Sequence, residues 1–137
     1  MYRSTFQYDS VEQILVRLKA AGLAGEGTEE RLWAEQTLAL LTVGKLSPTS
    51  LRVTLEALKR GQDMSLRECL GMEFRLMMRC MASADFLEGI RAVLVDKDSS
   101  PNWAEVASPA DVQAYFVPLS DLAHELLLPQ TDNGTDS

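Results

Sequence analysis

The sequence has few of the residues that most often bind metals or attack substrates. Its 137 residues include a single histidine, His124, and two cysteines, Cys69 and Cys80. One histidine excludes a multi-histidine metal site within one chain. A P-loop, Gly-x-Ser-x-Gly and His-Glu-x-x-His are also missing from the sequence. We therefore predict no catalytic residue, no metal ligand and no cofactor from the sequence.

The two cysteines fall within one helical pattern. Cys69 and Cys80 are about three turns apart, so they share a face but lie roughly 16 Å apart along the axis. They cannot form a disulfide while that helix is intact. Core packing is a better interpretation than a thiol nucleophile, because no histidine lies in the same helical run to activate either thiol. Free thiols are typical of a reducing compartment such as the cytosol or the mitochondrial matrix.

Long apolar runs and positive charge are scarce as well. No run approaches the ~20 residues that span a bilayer, and Met1–Ser10 lacks the apolar segment of a signal peptide. The formal net charge is −7, and a strongly acidic chain repels nucleic-acid phosphates. We therefore expect a soluble protein with neither a membrane nor a nucleic acid as its partner.

Signals for helix starts and ends recur along the sequence. Capping side chains precede apolar patterns of helical period at Ser10, Thr28, Ser47, Ser65 and Ser108. The third and fifth of these are followed by proline, which suits the first helical position. Glycines end the first three patterns, at Gly22, Gly44 and Gly61.

A short strand is the alternative to helix where three aliphatic residues occur in a row, at Val93–Val95. We predict a helix from Asp85 to Val95 instead, because Asp85, Glu88 and Arg91 recur at three-residue steps. A loop at 96–107 follows, and a last turn or two is expected at 120–128. The prediction is an all-α fold of about five to seven helices, with residues 1–129 as one helical region and 130–137 as a disordered tail.

Three groups of residues have both a structural and a functional interpretation. Glu73 is predicted to face the apolar stripe of the fourth helix, so it needs a partner, either in an ion pair or cap or in a substrate contact at a subunit junction. The methionines of that helix are better explained as core than as an adaptable binding groove. They are Met72, Met77, Met78 and Met81. His124 is better explained as a solvent-facing residue than as a catalytic base.

Asp85 and Glu88 are predicted to lie in the first turn of the fifth helix, where acidic residues suit the helix dipole. Gly89 inside the same helix costs about 1 kcal/mol relative to alanine. A close approach of another element to Gly89 would explain why a glycine is present.

The segment Ser83–Asp98, followed by Pro101 and Trp103, carries Glu-Gly, an aliphatic run and an acidic-Lys pair in that order. It resembles the C-terminal signature of the crotonase (enoyl-CoA hydratase/isomerase) superfamily, and most closely that of its 3-hydroxyisobutyryl-CoA hydrolase branch. Three further stretches agree with that branch, namely Ser10–Ile14, Lys45–Leu51 and Leu66–Leu76. The resemblance extends over residues 6–117.

The resemblance implies the C-terminal region of a mitochondrial acyl-CoA thioester hydrolase of valine breakdown. In that family an N-terminal spiral of β-β-α turns supplies the oxyanion amides and the acidic residues, and no position here matches a catalytic motif. The helical region packs on that core, covers the acyl-CoA site and takes part in subunit contacts. The implied partners are therefore the N-terminal core, the acyl-CoA substrate and other copies of the chain. We expect a homo-oligomer that associates through the fourth and fifth helices and is inactive by itself.

Lys97 matches a lysine that can approach the nucleotide phosphates of CoA in hydratases of this family. The alternative is a solvated surface lysine beside Asp96 and Asp98. Two other functions also stay open. One is a non-catalytic helical interaction protein derived from this family, and the other is a small-molecule binder that uses the methionine-rich helix face.

Overall fold

A computed structural model describes residues 9–23, 27–119 and 126 of the chain. These residues form six α-helices and one π-helical turn, and no strand occurs among them. The helices are α1 Val11–Gly22, α2 Glu29–Thr42, α3 Pro48–Gly61, α4 Leu66–Met81, α5 Ala84–Ile90 and α6 Pro109–Ala114, and the π-helical turn is Arg91–Val95. The predicted all-α class and the predicted number of helices are confirmed.

Five helices begin with the cap that the sequence predicts. In each, a hydroxyl accepts the backbone N–H three residues further on; the capping residues are Ser10, Thr28, Ser47, Ser65 and Ser108. At Ser65 the cap is part of a complete capping box, in which the Glu68 side chain also accepts the Ser65 N–H. In α1 the box is only half formed, because the Gln13 side chain accepts from the N–H of Asp9.

The first of two hydrophobic cores lies between α1 and α2, which pack against each other along their lengths. Ile14, Leu18 and Ala34 are buried there, and Leu18 is fully enclosed. Trp33 and Leu55 pack against this cluster from α2 and α3. The apolar stripe predicted for α1 is therefore the stripe that α1 buries.

The second core lies between α3, α4 and α6. Its buried members are Val53, Met72, Leu76, Val112 and Phe116. The guanidinium carbon of an α3 arginine, Arg60, lies 4.1 Å from the centre of the Phe116 ring and covers one side of this core. Since α3 contributes to both clusters, it joins the α1–α2 pair to the rest of the molecule.

The predicted fifth helix changes its winding partway along. It is α-helical over Ala84–Ile90 and π-helical over Arg91–Val95, where the Asp96 N–H donates to the Arg91 carbonyl at 2.8 Å. The helical prediction for Val93–Val95 is confirmed, and the strand alternative is wrong. The loop that follows runs to Ser108, close to the predicted end.

Some predictions concern residues outside the described ranges. These include the tail 130–137, His124 and nearly all of the turn expected at 120–128. The described part of the chain contains no helix that has both the length and the apolar character needed to cross a membrane.

Candidate functional site

Two apolar grooves run along the surface of α3. The α3–α4 groove has a volume of about 700 Å³, and its lining includes Val53, Ala57, Leu58, Met72, Leu76 and Met77. The α3–α5 groove has a volume of about 560 Å³, and its lining includes Leu46, Leu51, Phe86, Ile90, Leu94 and Trp103. Ser50, Thr54 and Cys80 line both grooves, so the two grooves adjoin. The two grooves together are called the double groove, and most of its lining is apolar.

Cys80 lies where the two grooves meet. It is half-buried on α4, together with the other free thiol, Cys69. Burial raises the pKa of the Cys80 thiol, so the thiol stays protonated at neutral pH. A neutral thiol is a poor nucleophile, which agrees with the packing role predicted for Cys80.

The methionines of α4 divide between core and surface. Met72 is buried in the second core, as predicted. Met77, Met78 and Met81 are exposed, and Met77 lines the α3–α4 groove. The core interpretation is therefore wrong for these three. Helix α4 has apolar residues on more of its circumference than α3 and α6 cover.

The expected buried position of Glu73 is also wrong. Glu73 is exposed and lies at the edge of the α3–α4 groove. Helix α4 buries Met72 and Leu76, and Glu73 is one position, or about 100°, further round the helix than Met72. A carboxylate in that position remains hydrated and needs no protein partner.

The acidic residues of α5 bind the loop that follows the helix. Asp85 accepts the Ala104 N–H at 2.8 Å and also the hydroxyl of buried Ser47. Glu88 accepts the Asn102 N–H at 2.6 Å. The dipole interpretation is therefore incomplete for Asp85. It is wrong for Glu88, which lies beyond the first turn of α5.

Arg91 is the centre of a charged cluster in the same segment. Its guanidinium donates to Glu88 at 2.8 Å, to Asp98 at 2.9 Å, to Asp96, and to the Ser100 carbonyl at 3.1 Å. These bonds lower the pKa of Glu88 to about 2, lower the pKa of Asp98 and raise the pKa of Arg91. All three side chains therefore stay ionised over the physiological pH range.

Trp103 lies against Gly89 and forms a wall of the α3–α5 groove. A side-chain carbon added at Gly89 would be 3.5 Å from the Trp103 ring, and the ring nitrogen donates to the Gly44 carbonyl at 2.8 Å. Trp103 does lie next to Gly89, but 3.5 Å is an ordinary contact distance, so the expected approach close enough to require a glycine is not found. The position therefore has room for a methyl group.

Lys97 is exposed in the turn after the π-helical segment and has a φ of 55°. It has no ion-pair partner in the ranges that the structure describes, although Asp96 and Asp98 are its neighbours. Its contact with CoA phosphates stays a prediction. Within the same ranges, no group of three or more His, Cys, Asp or Glu residues could hold a metal ion.

Sequence reasoning missed the roles of Arg91 and Ser47. Arg91 was used only as part of a helical spacing, and Ser47 only as a cap. Acidic residues on both sides of Arg91, at Glu88, Asp96 and Asp98, were the signal that could have identified the cluster. No comparable signal existed for Ser47, because its partner Asp85 is distant in the sequence.

Comparison with known proteins assigns the family. A family model described as enoyl-CoA hydratase/isomerase matches residues 2–117. The human mitochondrial 3-hydroxyisobutyryl-CoA hydrolase is 42% identical over 110 residues, which are 80% of this chain and 25% of that protein. The zebrafish (Danio rerio) enzyme of the same name is 43% identical over 112 residues, which are 82% of this chain and 26% of that protein. The chain thus spans about a quarter of the length of these relatives.

A solved structure leads to the same family. The crystal structure of an enoyl-CoA hydratase from Rhodobacter sphaeroides aligns with a TM-score of 0.70 and 34% identity. The alignment covers 90% of this chain and 34% of that one. On the match of residues 2–117 and on these similarities, the chain belongs to the enoyl-CoA hydratase/isomerase family.

Proposed function

We propose that this chain is the C-terminal helical part of an acyl-CoA thioester hydrolase resembling 3-hydroxyisobutyryl-CoA hydrolase. The parent reaction is hydrolysis of the thioester of 3-hydroxyisobutyryl-CoA in valine breakdown, and the compartment is the mitochondrion. The observation that carries the proposal is the similarity to enzymes of that name at about 42% identity, over only a quarter of their length.

The isolated chain is proposed to be inactive. Hydrolysis of a thioester needs hydrogen-bond donors aimed at the oxyanion that develops in the transition state. Five N–H groups of the loop after the π-helical turn already have acceptors inside the chain. They belong to Ser99, Ser100, Asn102, Ala104 and Ala107. This pairing supports a role in covering a site rather than in catalysis.

The test is a thioesterase assay on the purified 137-residue chain. Release of free CoA thiol from 3-hydroxyisobutyryl-CoA is followed with a thiol reagent, and the human hydrolase is the positive control. We expect a rate equal to that of buffer alone. A rate above buffer that disappears when the chain is heat-denatured would contradict the proposal.

The double groove is the surface proposed to meet the N-terminal core and other copies of the chain. Next to it, the π-helical segment exposes three consecutive large aliphatic residues, Val93, Leu94 and Val95, and α4 exposes three methionines. Exposed apolar surface of this extent is typical of protein contacts. The isolated chain is therefore expected to self-associate through α4 and α5.

Two valines of similar exposure provide a matched test of self-association. Val93 is 61% exposed beside the α3–α5 groove, and Val16 is 64% exposed on α1. Val93→Glu should lower the mass measured by light scattering at rising concentration, because a charge in the contact must be desolvated. Val16→Glu should leave the mass unchanged. A wild-type chain that stays monomeric, or two variants that behave alike, would contradict the proposed surface.

A second candidate function is a non-catalytic interaction module derived from this family. The same double groove favours it, because an apolar surface of this kind fits a protein partner whether or not a catalytic core is attached. The DNA upstream of Met1 distinguishes the two candidates. A crotonase core encoded in frame supports the hydrolase, and a start codon with its own promoter supports the module.

Lys97 is proposed to contact the nucleotide phosphates of CoA in the complete enzyme. Its exposure and the lack of an ion-pair partner within the described ranges support this role. If Lys97 is only a solvated surface residue, Lys97→Ala will leave the affinity for CoA unchanged.

A further inference from the structure

Two residues with side chains adopt left-handed backbone conformations within one short turn. Lys97 has a φ of 55° and Ser99 has a φ of 52°. Residues other than glycine rarely adopt this conformation, and it persists where the surrounding contacts enforce it. Here the Ser99 N–H donates to the Ala92 carbonyl at 3.0 Å, and the Ser100 N–H donates to Asp98 at 2.8 Å.

Arg91 connects both ends of this turn to the helix. One guanidinium nitrogen donates to the residues on either side of Lys97, namely Asp96 and Asp98. The opposite side of the guanidinium binds Glu88 through two bonds, at 2.8 and 2.9 Å, and one of these nitrogens also reaches the Ser100 carbonyl at 3.1 Å. A planar group with several fixed donors can hold such an arrangement, whereas a lysine could not.

The same bonds affect the charge around Lys97. Without Arg91, the carboxylates of Asp96 and Asp98, which flank Lys97 in the sequence, would be free to pair with its ammonium. Both would compete with any anionic ligand for it. Loss of Arg91 also makes the cluster more negative by one charge, which further opposes an incoming phosphate.

We propose that Arg91 is a positioning residue for Lys97. It holds the left-handed turn at 97–99 and binds the two neighbouring carboxylates, so that the Lys97 ammonium is available to a phosphate group of CoA. This inference rests on the proposed function of Lys97, and it adds the residue on which that function depends.

The first arm of the test uses the full 137-residue chain without ligand. Arg91→Gln is compared with Arg31→Gln, which removes an exposed pair within α2, between Arg31 and Glu35. Amide hydrogen exchange at Ser99 and Ser100 is measured by NMR. We expect exchange about tenfold faster at these two amides in Arg91→Gln, as for local opening of a turn, and unchanged in Arg31→Gln. Unchanged exchange in Arg91→Gln would overturn the inference.

The second arm titrates the same proteins with CoA and with pantetheine, which lacks the phosphates. We expect CoA to shift the NMR signals of the Lys97 turn and pantetheine to leave them unmoved. Arg91→Gln should weaken CoA binding about fivefold, the factor for losing one charge interaction near the surface. Equal affinity of Arg91→Gln and Arg31→Gln for CoA would overturn the inference. If the wild-type chain does not bind CoA, the phosphate contact of Lys97 does not form in this chain by itself, and the exchange data alone decide whether Arg91 positions the turn.

A second variant keeps the inference testable if Arg91→Gln does not fold. Asp96→Ala removes one negative charge beside Lys97 and one bond to Arg91. If charge alone mattered, this variant would bind CoA more tightly. The positioning role predicts faster exchange at Ser99 in this variant whatever the change in CoA affinity, and unchanged exchange would overturn it.

Discussion

The α1–α2 pair and the segment 84–104 are held by opposite kinds of interaction. In the helix pair, Ile14, Leu18 and Ala34 are buried against each other. In the segment, Ala92 is the buried hydrophobic residue, and the loop is held by Asp85, Glu88 and Arg91 through hydrogen bonds and ion pairs. The first region is organised by apolar burial and the second by directional polar contacts.

This difference determines what each region can do. Apolar burial is non-directional, so the helix pair gains stability without placing any single group accurately. Hydrogen bonds depend on distance and angle, so the segment 84–104 can hold individual groups such as Lys97 and Trp103 in set positions. Substitutions in the helix pair should therefore change global stability, and substitutions in the segment should mainly change local geometry.

The largest loss of stability is expected from a substitution in the α1–α2 pair. Leu18 is 0% exposed, so Leu18→Ala removes buried methyl groups and leaves a cavity in the first core. We expect the free energy of unfolding, measured by urea denaturation, to fall by about 3 kcal/mol. The control is Val16→Ala on the exposed face of α1, which should change the free energy by less than about 0.5 kcal/mol. Similar losses in both variants would mean that the first core is not the stabilising element of the helix pair.

A smaller loss of stability is expected when the polar segment, residues 84–104, loses its hydrogen bond to Ser47, the N-cap of α3. Asp85→Ala leaves the Ser47 hydroxyl and the Ala104 N–H without their acceptor. Because Ser47 is buried, we expect a fall of about 2 kcal/mol in the free energy of unfolding. Glu35→Ala, which removes an exposed ion pair in α2, is the control and should cost less than about 1 kcal/mol.

The positions at which amide hydrogen exchange accelerates distinguish the two regions further. In Asp85→Ala, amide exchange should accelerate more at Ala104 than at Leu18. Uniform acceleration across the chain would show that the polar segment is part of the global folding unit, and the comparison between the two regions would then fail.

The helix pair was more predictable from the sequence than the polar segment. The caps at Ser10 and Thr28 and the apolar spacing through Leu18 are local signals, and each reports the structure of its own helix. The same local reasoning was sufficient for the long helix α4, including its capping box at Ser65. Periodicity was therefore enough to identify these helices.

The polar segment depended on contacts between distant positions, which no local pattern reveals. Asp85 binds Ser47 and Ala104, and Trp103 binds the Gly44 carbonyl. The exposed side chains of α4 were mispredicted for a related reason. Whether Met77 or Glu73 faces the core depends on how far the neighbouring helices extend around α4, and the sequence of α4 alone does not contain that information.

The smallest effect is expected when acid protonates Glu88 in the polar segment. Bonds from Arg91 and from the Asn102 N–H lower the pKa of Glu88 from an ordinary 4.5 to about 2. A lowered pKa means that the stabilising contribution is complete above the ordinary value and is lost as the pH falls through the folded value. The NMR signal of the Asn102 amide should therefore stay fixed at and above pH 4.5 and move with a midpoint near the lowered pKa of about 2. Glu88→Gln should abolish this transition. Signals from the α1–α2 core should not report it, and a midpoint near 4.5 for Asn102 would mean that Arg91 does not hold Glu88 in solution.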